Sequence, residues 1–447
     1  MNIPLKMNRD FEKAMTTLNE RYGEDFEYLN GFHETQLNFS DFIDGFIDKN
    51  VADVTIDANA NASNKDIRSL LNEKGKSHDK LFAFNKIFYE MKKRYNLKTA
   101  REWLETEYNG GFYLHDASTS TYLPYCYAYD LTRLATEGLF FLKNYNNQAP
   151  KHLTTFMDDV IEYISYMSNR SSGAVGIPNV LIWTYYFWKK DCESGHFIKN
   201  PEYYIKQCFQ KFIYRLNQPF MRIDQTAFVN VSIFDRNYIE ALFGGVQYPD
   251  GTYVIDCVEE LIEHQKLFME VVSQIRSENM FTFPVLTYSL LYRDGKFVDE
   301  EFARWCSDHN VTWNDSNFFI SGDVNTLSNC CRLLSDTSKL NAFINSIGGT
   351  ALSIGSVKVN TINLMRIAET ECDEKKYLAL LKKRALLCCK TLDTVRHIIK
   401  RNVEKGLLPN YQDGAVEMDK QYCTMGILGL YEVIEAFGYT KTDEFGY

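Results

Sequence analysis

No Cys-x-x-Cys pair occurs in the 447 residues, although eleven cysteines are present. A structural zinc site built on paired thiolates is therefore disfavoured, and no metal is expected on this chain. No apolar run approaches the roughly 18 residues that a membrane-crossing helix needs. The opening residues, MNIPLKMNRDFEKAMTTL, lack the apolar segment of a secretory leader. An odd number of cysteines without a leader points to free thiols in a reducing cytoplasm. Basic tracts are also missing, and the net charge is −10, which argues against gripping a nucleic-acid backbone. A small phosphorylated ligand remains possible, because helix N-termini and a few Lys or Arg suffice for it. Neither an internal repeat nor a low-complexity linker divides the chain.

What is present is an ordinary globular composition, 45% hydrophobic and 24% charged, with an aromatic share of 15%. Length alone suggests about three domains or one large barrel. The stretch that organises the rest runs from Ser328 to Ala368. It opens on the adjacent cysteines Cys330 and Cys331 followed by Arg332, passes through a Gly- and Ser-rich segment, and closes on a β-branched run from Val357 to Leu364. A cysteine pair on a loop leading into a core strand can deliver sulfur chemistry to an interior. The competing reading is two buried structural thiols.

In chain order, residues 1–50 read as a polar helical arm, and 51–447 as the main domain. Asp53 to Asn64 is a capping loop, and Ile67 to Tyr108 is helical with apolar positions at three- and four-residue spacing. Gly110 and Gly111 end it. Phe112 to Leu114 start a strand leading to His115 and Asp116, and a second short strand carries Cys126 between Tyr125 and Tyr127. A His-Asp dipeptide is commonly a structural hydrogen-bonded pair; at a strand end it can instead face a cleft. Helices are expected at 158–168, 201–217 and 258–277, a Gly-rich turn at 171–183, and strands at 227–233 and 280–286, the last limited by Pro284. Residues 314–320 lead into the cysteine loop. A long helix from Tyr377 to Lys405 stops at Gly406, with Cys388 and Cys389 read as packing. Cys423 to Ala436 reads as a strand or tight turn feeding a helix. The ending at Tyr447 has no cap and looks cut.

Several islands occur in a fixed order: DANAN at Asp57 to Asn61, GGFYLHD ending at Asp116, PYC at Pro124 to Cys126 followed by YDLTRLATEGL, TFP at Thr282 to Pro284, CCRL at Cys330 to Leu333, GSVKVNTINLMRIA ending at Ala368, and TMGILGLYE at Thr424 to Glu432. Together they resemble the large subunit of the anaerobic, class III ribonucleoside-triphosphate reductases, a glycyl radical enzyme family, across about Val51 to Gly438. The resemblance implies an α/β barrel of ten strands in two five-stranded halves, with the cysteine loop (about 321–356) as a central finger. It implies reduction of ribonucleoside triphosphates to 2′-deoxyribonucleoside triphosphates. Cys331, before Arg332, matches the cysteine that becomes a thiyl radical, with Cys330 as the alternative carrier. Cys126 matches its partner on an early strand, Asn363 a polar residue that contacts ribose or formate, and His115 a substrate-facing strand end.

The resemblance further implies a glycyl radical, a radical-SAM activase, nucleoside triphosphate effectors, a homodimer, and formate or a dithiol protein as reductant. Leu334 stands where some relatives carry a small polar residue, which leaves the reductant open. Two departures stand out. No Arg-x-Cys-Gly-Tyr motif is present, so the glycyl radical and the last barrel strands are expected from a second polypeptide or from a missing C-terminal domain. The family's ATP cone also has no room before the catalytic region. A different glycyl radical enzyme, or a catalytically silent assembly subunit, are the alternatives.

Overall fold

A computed structural model of the chain describes residues 7–30, 44, 67–143, 147–197, 199–218, 221–222, 226–279, 281–324, 326–328, 334–336, 354–371 and 373–439. Nine of the eleven described strands form one curled, half-barrel sheet covered by helices. Helix α1 (Arg9–Asn30) lies against α2 (Ile67–Arg94) and α3 (Leu97–Tyr108). The expected single helical stretch is thus two helices. The break falls at Asn96, whose side chain accepts from the Thr99 amide at 2.8 Å and caps α3.

Strands β1 (Phe112–Leu114) and β2 (Cys126–Ala128) fall where the sequence put them. After β2 the chain alternates helix and strand, through α4 (Leu153–Ser168), β3 (Val175–Gly176), α5 (Val180–Ser194), α6 (Pro201–Leu216) and β4 (Val229–Phe234). It continues through α7 (Val258–Glu278), β5 (Val285–Arg293), β6 (Lys296–Phe297), α8 (Glu300–Trp313) and β7 (Ser316–Ser321). Strands β2, β3, β4, β5 and β7 are neighbours in that order and all parallel. Parallel strands need crossovers long enough to return the chain, and the intervening helices supply them. All six residues of β4 are buried, as expected for a parallel strand covered on both faces.

Three expectations in this region need correction. The strand placed at 280–286 starts after Pro284 and runs to Arg293, because proline lacks the amide that a ladder uses. The segment 171–183 is more than a turn: it holds β3 and the start of α5. The N-terminal half of α5, Val180 to Phe187, is buried on every side, so it shows no polar face to give a helical period. The helix placed at 158–168 begins five residues earlier.

Two short strands follow, β8 (Thr326–Ser328) and β9 (Leu334–Asp336), paired antiparallel. Residues 329–333 between them, Cys330 and Cys331 included, lie outside the described residues, as does most of the expected finger loop and the loop at 53–64. Strand β10 (Gly355–Asn363) then joins the sheet. It runs antiparallel to β2 at one end and to β1 at the other, and parallel to β11 (Gln421–Leu428) along its opposite edge. Helix α9 (Glu374–Glu404) packs against it, started by Asp373, whose side chain accepts from Lys376 N–H at 3.0 Å. Cys388 is buried against β10, as the packing reading expects, whereas Cys389 is exposed and contributes no such packing.

Two cores flank the sheet. One joins β2–β5 to α4–α7 and centres on Trp183, Tyr129 and Phe268. The other joins β1 and β10 to α1, α2, α3 and α9 and includes Phe11, Phe88 and Trp103. Truncating a side chain such as Trp103 to alanine would cost about 3–5 kcal/mol. No described helix is long and apolar enough to cross a membrane. A ten-stranded closed barrel is not formed among the described residues.

Candidate active site

The site is assembled where β1 and β2 meet the same edge of β10. His115 continues the β1 ladder, its amide donating to the Val359 carbonyl at 3.3 Å. The next residue, Asp116, has φ +43, which ends the strand and starts a short helix at Ala117. His115 Nε2 lies 2.9 Å from Thr361 Oγ1 on β10. Its ring packs edge-on against Tyr113 at 4.7 Å and Tyr125 at 6.0 Å between centroids. These contacts fix the imidazole on the half-buried face of the strand.

Cys126 stands opposite Ser356 in the β2–β10 register and is 3% exposed. The Ala174 amide donates to its sulfur at 3.2 Å. Glycine at 173 is required there, because a Cβ would come within 2.5 Å of the sulfur. Arg222 completes the wall. Its guanidinium donates to the Ser171 carbonyl at 2.8 Å and the Gly173 carbonyl at 3.2 Å. Burial lowers the Arg222 pKa, and the fields of Asp116, Cys126 and Tyr125 oppose that shift.

Beneath β1 lies a second buried charge system. Lys358, fully buried, donates to the His115 carbonyl at 2.5 Å and to the Ser120 hydroxyl. Glu107 accepts from the Leu114 amide at 3.2 Å and from the Trp103 indole at 3.3 Å. Burial pushes Glu107 up to about 7 and Lys358 down to about 7. Lys80 opposes the shift of Glu107, and Asp116 that of Lys358, more strongly than the two oppose each other's.

The sequence-predicted residues are therefore only partly gathered. His115 and Cys126 share one wall through Tyr125. Asn363 sits seven residues beyond the β10 position opposite Cys126, about 23 Å along a strand. Its Oδ1 accepts from the Met365 and Arg366 amides at 3.2 and 3.3 Å, capping the helix Leu364–Ala368. Cys330 and Cys331 cannot be placed, being outside the described residues. Sequence reasoning missed Arg222, Lys358, Glu107 and Thr361. A lysine inside the apolar run SVKVN was the one readable signal, since a charge in a core strand demands partners.

Residues 72–446 match the family described as anaerobic ribonucleoside-triphosphate reductase. No curated protein sequence matches the chain significantly. Solved structures of the anaerobic ribonucleotide reductase from Thermotoga maritima superimpose closely. One, with citrate in its active site, is 38% identical with a TM-score of 0.85, over 99% of this chain and 77% of that one. Another, in complex with dATP and CTP, is 39% identical with a TM-score of 0.86, over 99% and 70%. A third, with dATP in the specificity site, is 38% identical with a TM-score of 0.85, over 99% and 71%. With five parallel strands, a returning antiparallel β10 and this breadth of likeness, the chain belongs to the anaerobic ribonucleoside-triphosphate reductase family and is an oxidoreductase acting on nucleotides.

Proposed function

We propose that the chain carries the catalytic half-barrel of a radical ribonucleotide reductase, in which Cys331 abstracts hydrogen from the ribose 3′ carbon. No side-chain base can remove that hydrogen as a proton, whereas S–H and such C–H bonds are close in strength. The sulfur must come within about 3–3.5 Å of the carbon, which a loop threaded into a barrel can enforce. Cys330 is the alternative carrier. The net reaction consumes two electrons and two protons and releases the 2′ hydroxyl as water. The electrons come from formate, which leaves as carbon dioxide, or from a dithiol protein.

The observation that carries this reading is the setting of Cys126. It is buried, hydrogen-bonded by Ala174, and lies in the field of Arg222. A buried thiol held at that position is placed to hand a proton to the departing hydroxyl. His115, oriented by Thr361, borders the ribose. Asn363, occupied in capping, shapes the far end of β10 and contacts ribose or formate through its free amide edge at most.

A glycyl radical supplies the unpaired electron when its sequence is docked. We read that sequence as lying outside these 447 residues, with a radical-SAM activase to generate it. Support comes from β11, which pairs with β10 alone among the described residues and exposes Ile427 (60%) and Leu428 (59%). An open apolar strand edge favours further strands, and those would complete a ten-stranded barrel with the finger at its centre. Residues 1–50 act as an arm on the catalytic region 51–447, with Phe11 packed on the Phe88 ring. By likeness to the enzyme that holds dATP and CTP, this chain takes nucleoside triphosphates as substrates and effectors; a cytoplasmic homodimer is what the family resemblance implies.

The test is anaerobic reconstitution with activase, S-adenosylmethionine, the glycyl-bearing sequence and formate or a dithiol. Formation of dCTP from CTP, abolished by Cys331→Ala, is expected. Loaded glycyl radical with no product would sink the reading in favour of an assembly subunit.

A further inference from the structure

On the far side of the first core, three side chains from two helix ends converge: His152, Asp191 and His196. His152 occupies the N-cap position of α4 but makes no side-chain capping bond, so its imidazole is left to Asp191, with Nδ1 2.7 Å from Oδ1. Asp191 lies in the last turn of α5. Gly195, in the left-handed region at φ +71, turns the chain so that the His196 amide donates to the Asp191 carbonyl at 2.8 Å. His196 is thereby folded back over the carboxylate. Its ring stacks on that of His152 with centroids 3.8 Å apart and planes 20° from parallel.

We propose that His152, Asp191 and His196 form a binding site for a borderline first-row divalent cation, of which zinc is the representative. One donor atom from each residue lies within 4.8 Å of the other two. Donors on one zinc, with bonds of about 2.0–2.1 Å, stand about 3.3 Å apart. The remaining closure needs only ring rotation, and His196 is exposed while His152 is 40% exposed.

The carboxylate is prepared in the way metal ligands are. Asp191 is 1% exposed, and its second oxygen accepts from the Tyr204 hydroxyl at 2.7 Å and the Leu153 amide at 2.8 Å. That holds one oxygen in place and aims the other at the imidazoles, the outer-shell support that orients a ligand. Two imidazoles and a carboxylate suit zinc, nickel, copper or ferrous iron rather than magnesium or calcium. Three protein ligands leave a coordination position open. A cavity of about 500 Å³ adjoins the cluster, lined by Lys151, Tyr186, Lys190 and Pro249, and it gives water or an anionic ligand access to that position. The site departs from the expectation that this chain holds no metal, because that expectation considered cysteine spacing alone.

The experiment is an anaerobic titration of the untagged, chelator-stripped 447-residue protein with cobalt, followed by displacement with zinc. One equivalent should bind with ligand-field absorption and no thiolate-to-cobalt charge-transfer band. His196→Ala, at an exposed position that leaves the core untouched, should weaken binding by at least about tenfold, and Asp191→Asn should do the same. Zinc should raise the Tm of the parent protein and not that of His196→Ala. A thiolate charge-transfer band would assign the metal to cysteines and overturn the proposal. So would unchanged affinity in His196→Ala, or no binding below about 100 μM.

Discussion

Lys358 reaches under β1 and donates to the backbone carbonyl of His115 at 2.5 Å. On the neighbouring residue, Glu107 takes the Leu114 amide. The two buried side chains thus clamp the backbone of adjacent residues, Leu114 and His115, at the strand that presents the imidazole. Each bonds a backbone group of the strand rather than the other, so removing one leaves a buried polar group without its partner, at a cost of about 1–3 kcal/mol. Lys358→Met should therefore destabilise by about 1–3 kcal/mol in urea melts, Glu107→Gln, which keeps an acceptor for Leu114, by less, and the double variant by close to the sum. The pH dependence follows from the signs. Glu107, held at about 7 against an ordinary 4.5, loses stability as pH rises between those values. Lys358, held at about 7 against 10.5, regains stability as pH rises from about 7. The parent should show a dip near pH 7 that the double variant lacks; equal curvature in both would refute the clamp.

His264 sets an acid limit. It is fully buried among Tyr185, Trp188 and Phe209, with Nε2 2.9 Å from Thr184 Oγ1, and burial lowers its pKa to about 3. The unfolded chain takes up a proton near 6.5 that the folded protein refuses, so stability is whole above 6.5 and falls as pH drops toward 3. The slope from this residue is about 1.4 kcal/mol per pH unit. His264→Gln should flatten that limb in melts between pH 6.5 and 4.5.

The Thr361 hydroxyl orients the His115 ring. Thr361→Val keeps the shape and removes the 2.9 Å hydrogen bond. A half-buried bond of this kind contributes about 1 kcal/mol to stability, so Tm should shift by only a few degrees. If His115 borders the ribose, nucleotide reduction should fall about tenfold or more, mostly in kcat, and His115→Ala should fall further. Full activity in both variants would remove His115 from the site.

The three cysteines separate by step. Cys331→Ser should abolish both product and exchange of the ribose 3′ hydrogen with solvent. Cys330→Ser should retain product. Cys126→Ser should stop net reduction by at least about a hundredfold while leaving some 3′ exchange, because proton delivery fails after abstraction. Loss of exchange in Cys330→Ser with retention in Cys331→Ser would swap the two assignments.

How much of this was legible in the sequence differs by element. Strands β1 and β2 could be read because Gly110, Gly111 and the tyrosines around Cys126 punctuate them. Helix α7 could be read because one face meets solvent and leaves a period. Helix α5 could not, since Val180 to Phe187 is buried all round. The order of motifs carried the family, yet not the site's supports. Arg222 and Glu107 act through folding partners 49 and 7 residues away, and no local pattern announces such pairings. Asn363, read as a residue contacting ribose or formate, also stands at a strand-to-helix junction and caps the helix there, a second duty that the sequence reading did not foresee.

The register in which β10 closes over β1 and β2 also governs the order of assembly during synthesis. His115 waits for Thr361, 246 residues later in the chain. At about 5–20 residues per second a ribosome needs roughly 10–50 s to bridge that gap. Throughout it, the β2 edge and the Cys126 thiol are on an emerging chain whose closing strand has not yet been made. A nascent protein of this design therefore passes through an interval in which Cys126 has its Ala174 neighbour but not yet the β10 strand that later covers it.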